Sequence, residues 1–153
     1  MRQDELTAFL CSLRLARQEL HLCRERVAEL ENAATRITAA WKDAPGGQGD
    51  VHKDATLIAL ADKRAELLEQ ERTYAEQMLA VESFISRLED PVYRAILELR
   101  YVKLLRWPLV TEALQKQNIC YTDRHVTRLH GQALAAARRL WNEEHKEDMN
   151  EQG

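Results

Sequence analysis

The chain is poor in the features that mark secreted, membrane and catalytic proteins. Its cysteines, Cys11, Cys23 and Cys120, are odd in number and far apart, with no C-x-x-C pair. That argues against both a disulfide framework and a zinc site. No apolar run approaches the roughly 20 residues needed to span a bilayer. The opening MRQDELTAFL carries acidic residues where a signal peptide would have an unbroken apolar stretch. The expected location is therefore the cytoplasm, with no membrane partner. His125 and His130 lie five positions apart, on different sides of any helix, and H-E-x-x-H, G-x-S-x-G, Walker and dinucleotide fingerprints are absent. The reading is of a protein that is not an enzyme and carries no cofactor or metal.

The 153 residues are enough for one real core, or for a small domain attached to a long helical element. The net charge of −3 is an average over unlike segments. Residues 1–90 carry 12 Lys and Arg against 17 Asp and Glu, residues 91–141 carry 9 against 3, and residues 142–153 carry 1 against 5. A basic island thus sits between acidic flanks, which suits an anionic partner for that island.

Apolar residues organise the N-terminal half. Leu6, Leu13, Leu20, Val27, Ala34 and Trp41 recur every seven positions, and Phe9, Ala16, Cys23, Leu30 and Ile37 follow three positions later. This 3-4 spacing is the seam of a coiled coil. A helix over 4–41 is on the order of 55 Å long at about 1.5 Å per residue. KDAPGGQGD interrupts the pattern with Pro45 and the Gly46, Gly47 pair, so a loop is expected over 42–54. A second helix is expected from an N-cap at Asp54 to about Leu88. It bears one stripe of Leu57, Leu60, Leu67, Tyr74, Met78, Val81, Ile85 and Leu88, and an adjacent one of Ile58, Ala61, Ala65, Leu68, Ala75 and Leu79. Two stripes imply two neighbours. Residues 1–88 accordingly read as an antiparallel helical hairpin that also packs against another copy or the C-terminal domain, with an intramolecular bundle as the alternative. The seam expected to drive self-association is Leu6, Phe9, Leu13, Leu20, Val27, Leu30 and Ile37, with a dimer favoured.

Residues 89–141 read as three short helices. Asp90 and Pro91 form an N-cap and N1 pair; Val92, Ile96, Leu97, Leu99 and Tyr101 supply an inner face. Pro108 opens a second helix with Leu109, Val110, Ala113 and Leu114 inward, and Asn118 closes it in the left-handed conformation. Thr122 caps the last helix, with Asp123 in its first turn. There Val126, Leu129, Ala133, Leu134, Ala137, Leu140 and Trp141 make the inner stripe.

Asp123, Arg124, Thr127 and Arg128 remain on the outside, as in a helix-turn-helix whose last helix enters a DNA major groove. They are the expected base readers, since Arg forks onto guanine and Thr offers a hydroxyl and a methyl. Arg100, Lys103, Arg106, Lys116, Thr122, His125 and His130 are the expected backbone contacts, which position without reading sequence. Gly131 costs roughly 1 kcal/mol relative to Ala within a helix and so suggests close approach of a helix or a phosphate. The acidic residues 142–153 read as a flexible tail.

LEDPVYRAILELRYVKLLRWPLV followed by YTDRHVTRLHGQALAAARRLW resembles the region-four helix-turn-helix of bacterial sigma factors. It is most similar to the version in phage-encoded transcriptional regulators of the ArpU and RinA type. The resemblance covers roughly residues 86–141, with ILELRY, Trp107 and the Y-T-D-R-H-V-x-R-L-H-G run as its most specific pieces. It implies double-stranded DNA as partner, phage late-gene activation as role, a bacterial host cell as location and RNA polymerase as a further partner. The chain departs from the family pattern at QKQNIC, where either the middle helix gains a turn or the connection lengthens. Two other readings stand beside this one. The first is an adaptor that docks on polymerase or another regulator without reading DNA; the second is a small-terminase-like packaging protein, in which the DNA module more often leads the chain.

Overall fold

A computed structural model describes the backbone over residues 2–42 and 50–151, and side chains over 5–39 and 54–146. The fold is all-α: α1 (Arg2–Lys42), α2 (Asp50–Ser86), α3 (Pro91–Leu97), α4 (Trp107–Lys116) and α5 (Asp123–Glu151), with no strand among the described residues. Pro45, Gly46 and Gly47, the residues expected to break the hairpin, lie outside the described residues. Asp54 is not an N-cap, because α2 already begins at Asp50. DVHK contains no breaker, so the helix extends back to the acidic residue that follows Gly49.

The boundary expected near residue 88 falls elsewhere. The chain divides into two compact units, one holding α1 up to Arg14 together with everything from Gln77 onward, the other holding residues Leu15–Glu76. In the second unit α1 and α2 run antiparallel, as paired positions show: Arg24 meets Glu71 at 3.3 Å and Arg64 meets Glu31 at 3.1 Å. Val27, Leu30 and Leu60 form its buried centre, with Ala34, Ala59 and Leu67 packed around them. The ion pairs are exposed and each contributes about 0.2–1 kcal/mol; apolar burial between the helices contributes more.

In the other unit the first turns of α1 bury Leu6, Leu10 and Leu13, and the end of α2 buries Val81, Phe84 and Ile85. Phe9, Phe84 and Trp141 form an aromatic triangle with ring centroids 5.0–5.7 Å apart. Over its described residues the coiled-coil seam is therefore consumed within the chain, Trp41's side chain lying outside them. Leu6, Leu13, Leu20, Val27 and Leu30 are buried and Phe9 and Ile37 half-buried in a single copy, which corrects their assignment to self-association. A 3-4 seam specifies a helical partner and is indifferent to whether that partner is the same chain.

The segment of residues 142–151 is likewise helical where a flexible tail was expected. No Gly or Pro separates Trp141 from Glu151, and α5 continues through it. Two contacts fasten its start: Arg87 forks onto Glu144 at 2.6 and 3.0 Å, and the His145 ring stacks on Trp141 at 4.1 Å. Acidic composition made this stretch polar, and polarity alone does not end a helix.

Candidate nucleic-acid interface

The helices α3 and α4 and the first turns of α5 share one core. Ile96 of α3 and Leu99 just after it, Val110 and Leu114 of α4, and Val126 of α5 are buried together, ringed by Val92, Leu105, Trp107, Ile119, Tyr121 and Leu129. Further along α5, Ala133 and Ala137 are fully buried; their small side chains let neighbouring helices approach closely. Leu109 departs from expectation, being 46 % exposed, while Thr111 is buried in its place and donates to the Trp107 carbonyl at 3.3 Å.

The caps fix where each helix starts and stops. Asp90 Oδ1 accepts from the amides of Val92 at 2.8 Å and Tyr93 at 3.4 Å, with Pro91 at the first helical position. Asn118 takes φ 63°. The amide of Ile119 donates to the Leu114 carbonyl at 2.9 Å and that of Asn118 to Gln115 at 3.0 Å, the paired bonds of a Schellman ending. Gln115 and Lys116 thus complete α4, and residues 117–122 make the connection. Thr122 Oγ1 accepts from the His125 amide at 3.2 Å, capping α5.

The middle of the region holds an element that sequence reading did not find. After α3 the helix widens into a π-turn over Glu98–Val102, where the Lys103 amide donates to Glu98 at 2.9 Å. Leu104 then adopts φ 58°, a left-handed geometry that costs a residue with a Cβ on the order of 1–2 kcal/mol. Two bonds hold it there: the Leu105 amide donates to Leu99 at 3.0 Å, and Arg100 Nη1 donates to the Leu105 carbonyl at 3.0 Å. No composition signal marks a π-turn, and Leu is not a residue that announces positive φ.

Asp123, Arg124, Thr127 and Arg128 are all exposed on the first two turns of α5, opposite the buried Val126. Neither arginine has a hydrogen-bond or ion-pair partner among the described residues. Thr127 Oγ1 donates to the Asp123 carbonyl at 3.0 Å, which leaves its oxygen only an acceptor for a further partner. Lys103 and Arg106 are exposed and unpartnered as well, while Lys116 lies 3.9 Å from Glu112. His125 is half-buried with its ring 4.5 Å from that of Tyr121.

Two expected backbone contacts turn inward instead. The Arg100 guanidinium lies 4.8 Å over the Trp107 ring while bonded to Leu105. His130 Nε2 shares a 2.8 Å hydrogen bond with the Tyr101 hydroxyl, and its ring packs 4.5 Å from Trp107. Burial, and then the Arg100 charge, hold the His130 pKa below its ordinary value; burial pushes the Tyr101 hydroxyl upward. A neutral imidazole tied to Tyr101 is a positioning group for α5 rather than a phosphate ligand. The Gly131 that suggested a close neighbour has open space beside it: an added Cβ meets nothing within 4 Å.

No family model, characterised protein or solved structure matches the chain. Among the described residues no His, Cys, Asp and Glu group could hold a metal ion, and no helix is long and apolar enough to cross a membrane.

Proposed function

We propose that the chain is a sequence-specific, double-stranded-DNA-binding transcription regulator, of the phage late-gene activator type that its resemblance implies. The observation that carries this reading is the pair of exposed, unpartnered arginines, Arg124 and Arg128, on the first turns of α5. Their helix is braced from behind by the core of α3 and α4. A guanidinium already neutralised by a carboxylate would have to break that pair to bind DNA, and these two have none to break. Each can fork onto guanine O6 and N7 in the major groove, with the Thr127 methyl available to thymine. Lys103 and Arg106 supply the phosphate contacts. RNA polymerase remains a further partner of this reading, reached from the same module.

Selection of bound fragments from a random DNA library tests it, using the parent protein and an Arg124→Ala, Arg128→Ala double variant. A defined motif that the variant loses, with binding that weakens steeply as salt rises, is the expected result. An absence of enrichment in both proteins would move the module to a protein-docking role.

A further inference from the structure

With the described part of the α1 seam spent inside the chain, the second stripe of α2 is left without a neighbour among the described residues. Ile58 is 62 % exposed and Leu68 69 % exposed, and Ala61, Ala65, Arg72 and Ala75 on the same stripe are exposed too. Positions 58, 61, 65, 68, 72 and 75 alternate steps of three and four without a break, all within the Leu15–Glu76 unit. That is the a/d spacing of helix-to-helix packing, displayed on the side of α2 that Leu60 and Leu67 do not use.

We propose that this stripe is the docking surface for a second copy of the chain, paired antiparallel through α2. The stripe is complementary to itself in one register. When Leu68 lies opposite Ala65 of the second copy, Ile58 lies opposite Ala75 and Arg72 opposite Ala61, so each large side chain meets a small one. The twofold axis repeats every contact, as an isologous interface requires. The charged residues distinguish antiparallel from parallel pairing. One flank of the stripe carries Asp62, Glu69 and Glu76, and Arg72 binds Glu69 and lies 3.5 Å from Glu76 within its own helix. The antiparallel register brings Arg72 beside Asp62 of the second copy, placing a cation where the two acidic flanks converge. Parallel pairing would instead oppose Arg72 to Arg72 in the centre of the contact. The stripe from Ile58 to Ala75 is about 26 Å long at about 1.5 Å per residue, so the buried area falls short of the roughly 1,600 Å² of a standard interface. The pairing is therefore a reversible dimer governed by protein concentration. It stands independently of DNA binding.

Light scattering and sedimentation over a hundredfold range of concentration give the first reading. The average mass is expected to climb from one chain towards two, and Leu68→Glu is expected to remain at one chain with unchanged helical circular dichroism. Arg72→Glu should also abolish the rise, and Arg72→Glu with Asp62→Arg should restore it by exchanging the paired charges. Orientation follows from cross-linking in a Cys11→Ser, Cys120→Ser background with a short bis-maleimide. An Ile58→Cys chain mixed with an Ala75→Cys chain should link far more than either chain alone, because identical positions then lie about 25 Å apart along the axis at about 1.5 Å per residue. A one-chain mass at every concentration, a dimer that Leu68→Glu leaves intact, or linking strongest between identical Ile58→Cys chains would each overturn the proposal.

Discussion

Replacing Gly131 by Ala separates stability from DNA contact, because the two are expected to move in opposite directions. Gly131 lies inside α5, eight residues past its first, and a Cβ built there meets no heavy atom within 4 Å. The substitution therefore adds no clash, and it restores the helix propensity that Gly forfeits, about 0.8–1.0 kcal/mol. For a chain of this size that corresponds to a rise of roughly 2–4 °C in Tm. Thermal and urea unfolding followed by helical circular dichroism would measure it, and a loss of stability, or no gain, would refute the argument that the position is open and regular.

Gly131 follows Arg128 by three residues and Thr127 by four, so it continues the row of proposed base readers along α5. The packing of the chain gives no reason for the absence of a side chain there, and a phosphate approaching that row does. The variant is expected to bind its motif about tenfold less tightly, a change of roughly 1.4 kcal/mol, while being harder to unfold. A stabilised variant with undiminished affinity would show that DNA does not come close at this position.

Removing the cap of α3 with Asp90→Ala should cost about 0.5–2 kcal/mol, since the Val92 and Tyr93 amides both lose their acceptor; urea unfolding measures this, and Asp90→Asn should recover most of it. The lowered pKa of His130 makes a signed prediction of pH dependence. Below the ordinary His value of about 6.5 the unfolded chain takes up a proton that the folded one resists. Stability should therefore fall as pH drops from about 6.5 through the lowered folded-state value, and then level off. In His130→Gln that part of the slope should disappear from unfolding curves measured between pH 7.5 and 5; an identical slope in parent and variant would show that His130 is not its source.

How far the sequence could be read depended on whether the signal was local. The caps at Asp90 and Thr122 and the left-handed Asn118 are set by side chains within three residues of the bonds they make, and each stands where residue type placed it. Helical periodicity likewise gave the all-α class and the buried face of α5. What escaped depends on distant partners. Tyr101, Trp107 and His130 belong to three different elements, and nothing in their spacing couples position 101 to position 130. For the same reason Arg100 was expected to face phosphate when its guanidinium is in fact occupied by Trp107 and Leu105. The second stripe of α2 was legible as a face seeking a neighbour, either another copy or the C-terminal domain, whereas its exposure in a single chain depends on how the distant α1 seam is filled.

The basic island narrows in the same way, with a measurable consequence. Its formal excess over residues 91–141 counts nine cations, and several of these are engaged. Arg94 donates to the carbonyls of Leu88 and Glu89, Arg100 to that of Leu105, Lys116 lies near Glu112, and Arg138 is half-buried. Lys103, Arg106, Arg124 and Arg128 remain exposed without partners among the described residues, as does Arg139, which lies about 22 Å beyond Arg124 along α5 at about 1.5 Å per residue. Each phosphate neutralised steepens the fall of log affinity with log salt by about 0.9. Four cations near the proposed groove therefore limit the slope to about −3.6 per chain, reached only if all four sit on phosphates. If Arg124 and Arg128 read bases, the slope should lie nearer about −2 per chain, and Lys103→Ala should flatten it by about 0.9 while leaving the selected motif unchanged. A slope well beyond the four-cation limit on a single chain would mean that a surface other than this one meets the DNA backbone.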